Sequence, residues 1–290
     1  MPHPGWTDFS FEGIGTRWEV STPSPLPEKH CRRLLDVVAD YDAAWSRFRP
    51  DSLVARAARQ PGSYQLPAGA AGLGPLYETL YRLSDGAMTP LIGGSLEQLG
   101  YDEGYSLRPG GPPLPAPRWE DVLEWDGTVL TISAPVVIDV GAAGKGQLAD
   151  LLSAELLAAG IGEHFIDASG DLLNPGTAPV EVALEHPYDP SRAIGVISLG
   201  AGALCASAAN RRTWGDGLHH VLDGTTGAPV RTVVASWAMA GTAMLADALA
   251  TALFFVDGPR LRTVFDFSWL TVYSDGHAEY SAEFEGALFS

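Results

Sequence analysis

Apolar residues at helical spacing predict two helices in the first third of the chain. The first covers Glu28–Ser46, where four apolar residues recur on one helical face. They are Leu34, Val38, Tyr41 and Trp45. A similar pattern predicts a second helix over Pro75–Asp85, with proline near its start and Gly86 at its end.

Apolar runs predict strands along the rest of the chain. They are Arg17–Ser21, Thr128–Ser133, Val136–Val140, a strand near Phe165, Val180–Leu184, Ile194–Leu199, Leu270–Tyr273 and His277–Phe284. The run Val136–Val140 is apolar apart from Asp139, which predicts a buried strand. A helix is predicted after it, from Gln147 to about Ala159, with Gly160 at its end. Because helices and strands mix without a regular βαβ alternation, the pattern favours an α+β fold.

The segment Arg108–Pro117 is the clearest interruption in the chain. Its prolines and glycines exclude a helix or a central strand, so we expect a surface connection. A chain of 290 residues suits one large domain or two small ones. We expect a single unit over residues 1–290, with a candidate subdivision near residues 108–117.

The segment Trp237–Val256 has the hydropathy of a membrane span. It contains one charge, Asp247, which at the bilayer centre would cost roughly 2.5–3.5 kcal/mol. Because no basic flank orients the segment, we predict a buried helix of a soluble protein and no membrane span. The first ten residues contain neither the basic nor the apolar part of an export signal, so we expect a cytoplasmic protein.

The charge balance narrows the classes of partner. The chain has 18 Lys+Arg against 35 Asp+Glu, a net charge of −17. Such a field repels phosphate backbones, so we expect no nucleic-acid partner. A phosphate site in this chain must therefore be local, built from backbone N–H groups, a well-placed cation or a metal ion.

The glycine-rich turn Asp139–Gly146, D-V-G-A-A-G-K-G, is the first candidate site. Its glycines let the backbone approach a ligand closely, the helix that follows favours an anion, and Lys145 adds a cation. The spacing fits neither a dinucleotide-binding fingerprint nor a P-loop. A structural strand-to-helix turn with a solvated lysine explains the same residues.

Two further candidates are polar segments. In Asp167–Asp171, D-A-S-G-D, two carboxylates could orient a ribose or a metal-bound water, although such residues are also common in turns. In His219–Gly227, H-H-V-L-D-G-T-T-G, the near-neutral pKa of histidine makes His220 a candidate general base. A hydrogen-bonded structural histidine is the alternative.

The fourth candidate is Thr242–Thr251, T-A-M-L-A-D-A-L-A-T. If this segment is helical, Asp247 and Thr251 lie four residues apart on one face among apolar residues. Burying a carboxylate and a hydroxyl requires partners, and Mg²⁺ prefers such oxygen ligands. Hydrogen bonds to the preceding helical turn and to a neighbouring loop would satisfy the same groups without a metal.

These segments occur in an order that resembles the ApbE family, the FAD:protein FMN transferases, from about Gly13 to Gly258. The matching segments are I-G-T (Ile14–Thr16), W-S-R-F-R-P-D-S (Trp45–Ser52), S-D-G-A-M-T-P (Ser84–Pro90), L-G-Y-D (Leu99–Asp102), D-V-G-A-A-G-K-G, A-S-G-D (Ala168–Asp171), H-H-V-L-D-G-T-T-G and A-D-A-L-A-T (Ala246–Thr251). The resemblance implies an α+β fold related to the T-fold, with mixed sheets and packed helices. It also implies Mg²⁺-dependent transfer of FMN from FAD to a threonine of an acceptor flavoprotein, with release of AMP.

The resemblance also implies roles for individual residues. Asp247 and Thr251 match side-chain ligands of Mg²⁺, and Ala142 matches a ligand that would act through its carbonyl oxygen. His220 matches the base that acts on the acceptor threonine, and we expect Asp247 to be essential for catalysis as well. The expected contacts with the flavin nucleotide are Ile14, Phe48, Ala87, Met88, Thr89, Asp139, Lys145 and Val221.

The chain departs from the family pattern at four places. The usual M-G-T is I-G-T, A-G-G-D has become A-S-G-D, D-P-x-T-G is D-G-T-T-G, and A-T-S-G appears as Cys205–Ala208, C-A-S-A. Two alternatives follow: a Mg²⁺-dependent FAD pyrophosphatase that gives FMN and AMP, and a flavin-binding protein without catalysis. For a transferase we expect an acceptor with a D-x-x-(S/T)-(A/G)-T segment, of which this chain has no convincing copy.

Overall fold

The computed structural model describes residues 5–284 and 287–289. Its α-helices are α1 (Glu28–Trp45), α2 (Leu53–Arg59), α3 (Leu73–Leu83), α4 (Gly93–Gln98), α5 (Trp119–Val122), α6 (Gly144–Ala158), α7 (Ala243–Ala252) and α8 (Gly258–Arg262). Short 3₁₀ helices cover Ala68–Gly72, Pro90–Ile92 and Ala282–Phe284. No helix among the described residues is long and apolar enough to cross a bilayer.

The strands form one large antiparallel sheet and three small ones within the described residues. They are β1 (Thr7–Gly13), β2 (Thr16–Thr22), β3 (Gly62–Gln65), β4 (Leu123–Asp126), β5 (Val129–Ile132), β6 (Phe165–Asp167), β7 (Leu172–Asn174), β8 (Val180–His186), β9 (Asp189–Leu199), β10 (Gly202–Ala208), β11 (Thr213–Trp214), β12 (Leu218–His219), β13 (Val233–Ala240), β14 (Ser268–Tyr273) and β15 (Ala278–Tyr280). The large sheet has the order β1-β2-β6-β7-β10-β13-β14-β15. The small sheets are β3-β5-β4, β8-β9 and β11-β12.

Helices α6 and α7 pack together, and α7 also packs on β10 and β13. Gly146 permits this approach, because a Cβ at that position would lie 2.1 Å from the carbonyl oxygen of Ala243. The start of α7 is held by Asp150 of α6, whose carboxylate accepts hydrogen bonds of 2.9 Å from the backbone N–H groups of Ala243 and Met244. These contacts fix the position of α7, which carries two of the predicted metal ligands.

Most predicted elements are confirmed, as is the α+β fold. Helix α1 and helix α3 lie within two residues of the predicted ranges. Five predicted strands are present in the structure: β2 at Arg17–Ser21, β5 at Thr128–Ser133, β8 at Val180–Leu184, β9 at Ile194–Leu199 and β14 at Leu270–Tyr273. Residues 108–117 contain no helix or strand, as predicted. The subdivision near that segment remains a prediction.

Two predicted elements are wrong. Val136–Val140 is buried but is not a strand; it packs instead against the start of α4, where a Cβ on Gly93 would lie 2.6 Å from the Val137 carbonyl oxygen. Trp237–Val256 is not one helix, because its first part belongs to β13 and α7 begins only after Thr242. A central strand and a buried helix both consist largely of apolar residues. The apolar run Trp237–Val256 therefore did not show that a strand ends and a helix begins near Gly241.

Two boundaries also differ from the prediction. Helix α6 begins at Gly144 and not at Gln147, so Lys145 lies in the first helical turn. The predicted strand His277–Phe284 is shorter in the structure, where β15 is followed by a 3₁₀ helix over Ala282–Phe284.

Candidate functional site

Asp139 lies at the start of the glycine-rich turn and is held on both carboxylate oxygens. Oδ1 accepts a hydrogen bond of 2.7 Å from the Gly141 N–H, and Oδ2 accepts one of 2.7 Å from Nε of Arg47. Burial raises the pKa of Asp139, but the charge and hydrogen bond of Arg47 outweigh it, so the pKa is lowered overall. Asp139 is therefore a fixed negative charge.

Asp247 lies on α7, facing the first turn of α6. Its side chain is buried, and Oδ2 accepts a hydrogen bond of 2.9 Å from the Gly146 N–H. Burial and the nearby Asp171 raise the pKa of Asp247 to about 8, although Lys145 opposes the shift. The carboxyl group thus lies where a positive ion would favour its charged form.

Lys145 projects from the same turn and forms an ion pair with Asp171, which is fully buried. Burial lowers the pKa of Lys145, but the negative charges of Asp171 and Asp247 raise it by a larger amount. The net effect is a raised pKa, so the lysine stays charged. Asp171 also accepts a hydrogen bond of 3.3 Å from the Ala206 N–H of β10. The A-S-G-D turn between β6 and β7 therefore positions Lys145.

Thr251 lies one helical turn after Asp247. Its Oγ1 is 3.0 Å from Oγ of Ser207 on β10, so a hydrogen bond joins the helix to the sheet. Ser207 belongs to the C-A-S-A segment, which the sequence marked only as a departure from the family pattern. The hydroxyl contact is a feature that sequence reasoning missed, because the two residues are far apart in the chain.

His219 and His220 have different surroundings. Nε2 of His219 lies 2.8 Å from the carbonyl oxygen of Val230, which is a structural contact. His220 is half-buried, and its Nδ1 has no hydrogen-bond partner among the described residues. Burial, then the charge of Arg212, lowers the pKa of His220 to about 3, so the ring is neutral at pH 7.

These side chains line one cavity of about 340 Å³, which we call the polar cavity. It brings together ten of the predicted site residues: Ala87, Met88, Thr89, Asp139, Ala142, Lys145, His220, Val221, Asp247 and Thr251. A hydrogen bond of 2.8 Å from the Gly224 N–H to the Ala87 carbonyl oxygen joins two of the segments that carry them. The other two predicted residues, Ile14 and Phe48, are not in its lining.

Ile14 and Phe48 line a neighbouring cavity of about 450 Å³, which we call the aromatic cavity. Phe48 stacks on Tyr105 with ring centroids 5.0 Å apart. The other aromatic residues of the lining are Tyr41, Trp45, Tyr101 and Trp214. The lining common to both cavities is Gly15, Tyr101, Asp139, Gly141, Lys145 and Arg212. The predicted residues thus fall into two adjoining spaces.

Arg47 was missed by the sequence analysis although it lies inside a matching segment. Its side chain is 3% exposed, and its guanidinium carbon lies 4.2 Å from the Phe48 ring centroid and 5.0 Å from that of Tyr101. Arg47 therefore packs against the rings of the aromatic cavity while Nε holds Asp139. The contact with Asp139 spans 92 positions of the chain, which no local pattern reveals.

Comparison with known proteins shows the family of the chain. Residues 14–267 match the model of the ApbE family. The chain belongs to the ApbE family. Within it, the chain is 29% identical over 277 residues to a protein of Rhodobacter capsulatus named FAD:protein FMN transferase. That match covers 87% of this chain and 52% of the relative, so the chain spans about half the length of the curated relative it matches.

The solved structures of ApbE proteins share the fold. The ApbE protein of Thermotoga maritima has 24% sequence identity and a TM-score of 0.80, with 98% of this chain and 100% of that one covered. The flavin transferase ApbE of Vibrio cholerae has 19% identity and a TM-score of 0.78, with 98% and 99% covered. At this level of identity the likeness shows the fold alone.

Two departures from the ApbE pattern have local explanations in the structure. Ser169 has a φ of +58°, and its Oγ accepts a hydrogen bond of 2.7 Å from Thr16 and donates one of 2.8 Å to the Arg17 carbonyl oxygen. The side chain thus fastens the turn to the β1–β2 hairpin. At Gly224, a Cβ would lie 2.7 Å from Cγ2 of Thr89 and 2.8 Å from the Gly86 carbonyl oxygen, so glycine fits this tight contact.

The chemistry of the donors fits a magnesium ion. The described residues contain no group of three His, Cys, Asp or Glu side chains that could hold a metal. The predicted set needs only one such side chain, because Thr251 would contribute a hydroxyl and Ala142 a carbonyl oxygen. Mg²⁺ is usually held by one or two carboxylates, waters and substrate phosphates and not by a full cage of side chains.

Proposed function

We propose that this chain transfers FMN from FAD to a threonine of an acceptor flavoprotein, with Mg²⁺, and releases AMP. The proposal rests on one observation: the predicted metal ligands, the glycine-rich turn and His220 line the same cavity in a chain of the ApbE family. The names of the relative from Rhodobacter capsulatus and of the Vibrio cholerae structure support the same activity.

Asp247, Thr251 and the carbonyl oxygen of Ala142 would hold the magnesium ion. When bound, the ion would supply positive charge against the diphosphate of FAD as negative charge develops on it. Asp247 is already fixed by the Gly146 N–H, so its position does not depend on the metal. Lys145 would add a second positive charge on the same side of the turn.

His220 would accept the proton of the acceptor threonine as its hydroxyl attacks the FMN-side phosphorus. The bond from phosphorus to the AMP oxygen breaks as the new phosphoester bond forms. His220 is neutral at pH 7, so one of its ring nitrogens carries no proton and can accept one. Burial is the largest cause of the lowered pKa of His220, and the positive charges of Arg212 and Lys145 add to it. The diphosphate of FAD would offset these two charges and make His220 a stronger base.

The aromatic cavity would hold one end of the dinucleotide. Planar ring systems are buried favourably against aromatic side chains, and Phe48, Tyr101 and Tyr105 line this cavity. Because the two cavities share part of their lining, a dinucleotide could extend from one into the other. Ile14 and Phe48 would therefore contact FAD at a different point from His220.

The test is incubation with FAD, Mg²⁺ and a protein containing a D-x-x-(S/T)-(A/G)-T segment, followed by mass spectrometry of the acceptor. We expect one FMN on the threonine of that segment, and none on an acceptor with this threonine replaced by valine. His220→Ala should abolish transfer and keep FAD binding. A role as a binding protein would leave the wild-type chain without any transfer.

The pyrophosphatase alternative uses the same site with water as the nucleophile. It predicts rapid AMP release from FAD and Mg²⁺ when no acceptor is present. The transferase predicts that AMP release requires the acceptor. Replacing Asp247 by alanine would weaken turnover under both, so this variant alone does not separate them.

A further inference from the structure

The junction between the two cavities carries two positive side chains, Lys145 and Arg212. Lys145 is paired with the buried carboxylate of Asp171. Arg212 is exposed and immediately precedes β11, and over residues 5–284 and 287–289 it forms no ion pair. Arg212 is therefore a cation at the junction that has no ion-pair partner among the described residues.

FAD, the substrate of the proposed function, would have its negatively charged diphosphate at the junction between the two cavities. A dinucleotide consists of two ring-bearing halves joined by a diphosphate, so a molecule that extends from one cavity into the other has its diphosphate between them. The chain has a net charge of −17, which repels a negatively charged ligand. A cation without an ion-pair partner at the junction counteracts that repulsion at the position of the diphosphate.

We propose that Arg212 binds the diphosphate of FAD and so sets the preference of this site for dinucleotides over uncharged flavins. The inference rests on the proposed function, because it takes FAD as the ligand. A guanidinium group can donate two parallel hydrogen bonds to phosphate oxygens, which a lysine cannot. Arg212 therefore acts as a binding residue in the same cavity as the predicted metal ligands.

The surroundings of Arg212 agree with this role. Arg47 outweighs burial and lowers the pKa of Asp139, and burial lowers the pKa of His220; the positive charge of Arg212 lowers both pKa values further. The neighbouring Arg211 differs in both respects that matter. It forms an ion pair of 3.0 Å with Glu185 and lines only the polar cavity.

The experiment compares the binding of FAD and riboflavin to four proteins, by quenching of flavin fluorescence at low and high salt. The proteins are the wild type, Arg212→Gln, Arg212→Lys and the control Arg192→Gln, because Arg192 is exposed on β9 and lines neither cavity. We expect Arg212→Gln to bind FAD roughly 10-fold or more weakly and riboflavin unchanged, because riboflavin has no phosphate. Arg212→Lys should recover part of the loss, and Arg192→Gln should change FAD affinity by no more than about 2-fold.

Equal FAD affinity of the wild type and Arg212→Gln would overturn the inference and leave the proposed function standing. Loss of riboflavin binding together with FAD binding would overturn it too, because the effect would then not involve the diphosphate. A wild-type chain that binds neither FAD nor riboflavin would overturn the proposed function itself. Matching thermal unfolding of the variants confirms that all of them are folded.

Discussion

Replacing Gly146 by alanine tests the close contact that positions the candidate metal ligand. The new Cβ would lie 2.1 Å from the Ala243 carbonyl oxygen and 2.8 Å from Cβ of Asp247. Ordinary contact begins near 3.4 Å, so α6 and α7 must separate by about 1.3 Å. Overpacking of this kind costs about 1–3 kcal/mol, and weakening the Gly146–Asp247 hydrogen bond adds about 1 kcal/mol.

We therefore expect Gly146→Ala to lower the free energy of unfolding in urea by about 2–4 kcal/mol. Gly94→Ala is the matched control, because Gly94 lies at the start of α4 and a Cβ there meets no atom within 4 Å. That variant should be as stable as the wild type or more stable by up to about 1 kcal/mol. If both variants unfold within about 0.5 kcal/mol of the wild type, Gly146 does not set the spacing of α6 and α7.

Three further predictions concern the metal ligands and a buried histidine. Asp247→Asn keeps the shape of the side chain but removes its charge. The affinity for Mn²⁺, measured by electron paramagnetic resonance with FAD present, should therefore fall roughly 100-fold or more. An unchanged affinity would exclude Asp247 as a ligand. Thr251→Val should lower Mn²⁺ affinity while Thr251→Ser should not; equal behaviour of the two would exclude the hydroxyl. His164 is buried between Ser153 and the Ile161 carbonyl oxygen, and burial lowers its pKa below 6.5. As the pH falls, the histidine is therefore protonated in the unfolded chain before it is protonated in the folded protein. The free energy of unfolding should decline as the pH falls below about 6.5. His164→Gln should make that decline shallower in urea unfolding at pH 7.5 and 5.5, and an unchanged slope would contradict this reading.

Elements with a one-sided apolar pattern could be predicted from the sequence. Helix α1 has one buried face and one solvated face, so the spacing of its buried residues marks both its type and its range. Most positions on every side of strand β13 and helix α7 are apolar, because both elements are largely buried. Their sequences carry little periodicity, and the break at Gly241 was therefore missed.

The candidate site was predictable where its residues share a short motif. The spacing of Asp247 and Thr251 follows from helical geometry, and the glycine-rich turn needs its small residues where α6 meets α7. The contact of Arg47 with Asp139 and that of Ser207 with Thr251 depend on how distant segments pack. No local pattern encodes such contacts, which is why Arg47 and Ser207 were not predicted as site residues.

The most direct test of the account measures AMP and protein-bound FMN in the same reaction. With FAD, Mg²⁺ and an acceptor present, we expect the amounts of AMP released and of FMN attached to the acceptor threonine to rise together in equal proportion. Without the acceptor, no AMP should form. AMP release that proceeds equally well without the acceptor, or an acceptor that gains no FMN, would contradict the proposed transfer.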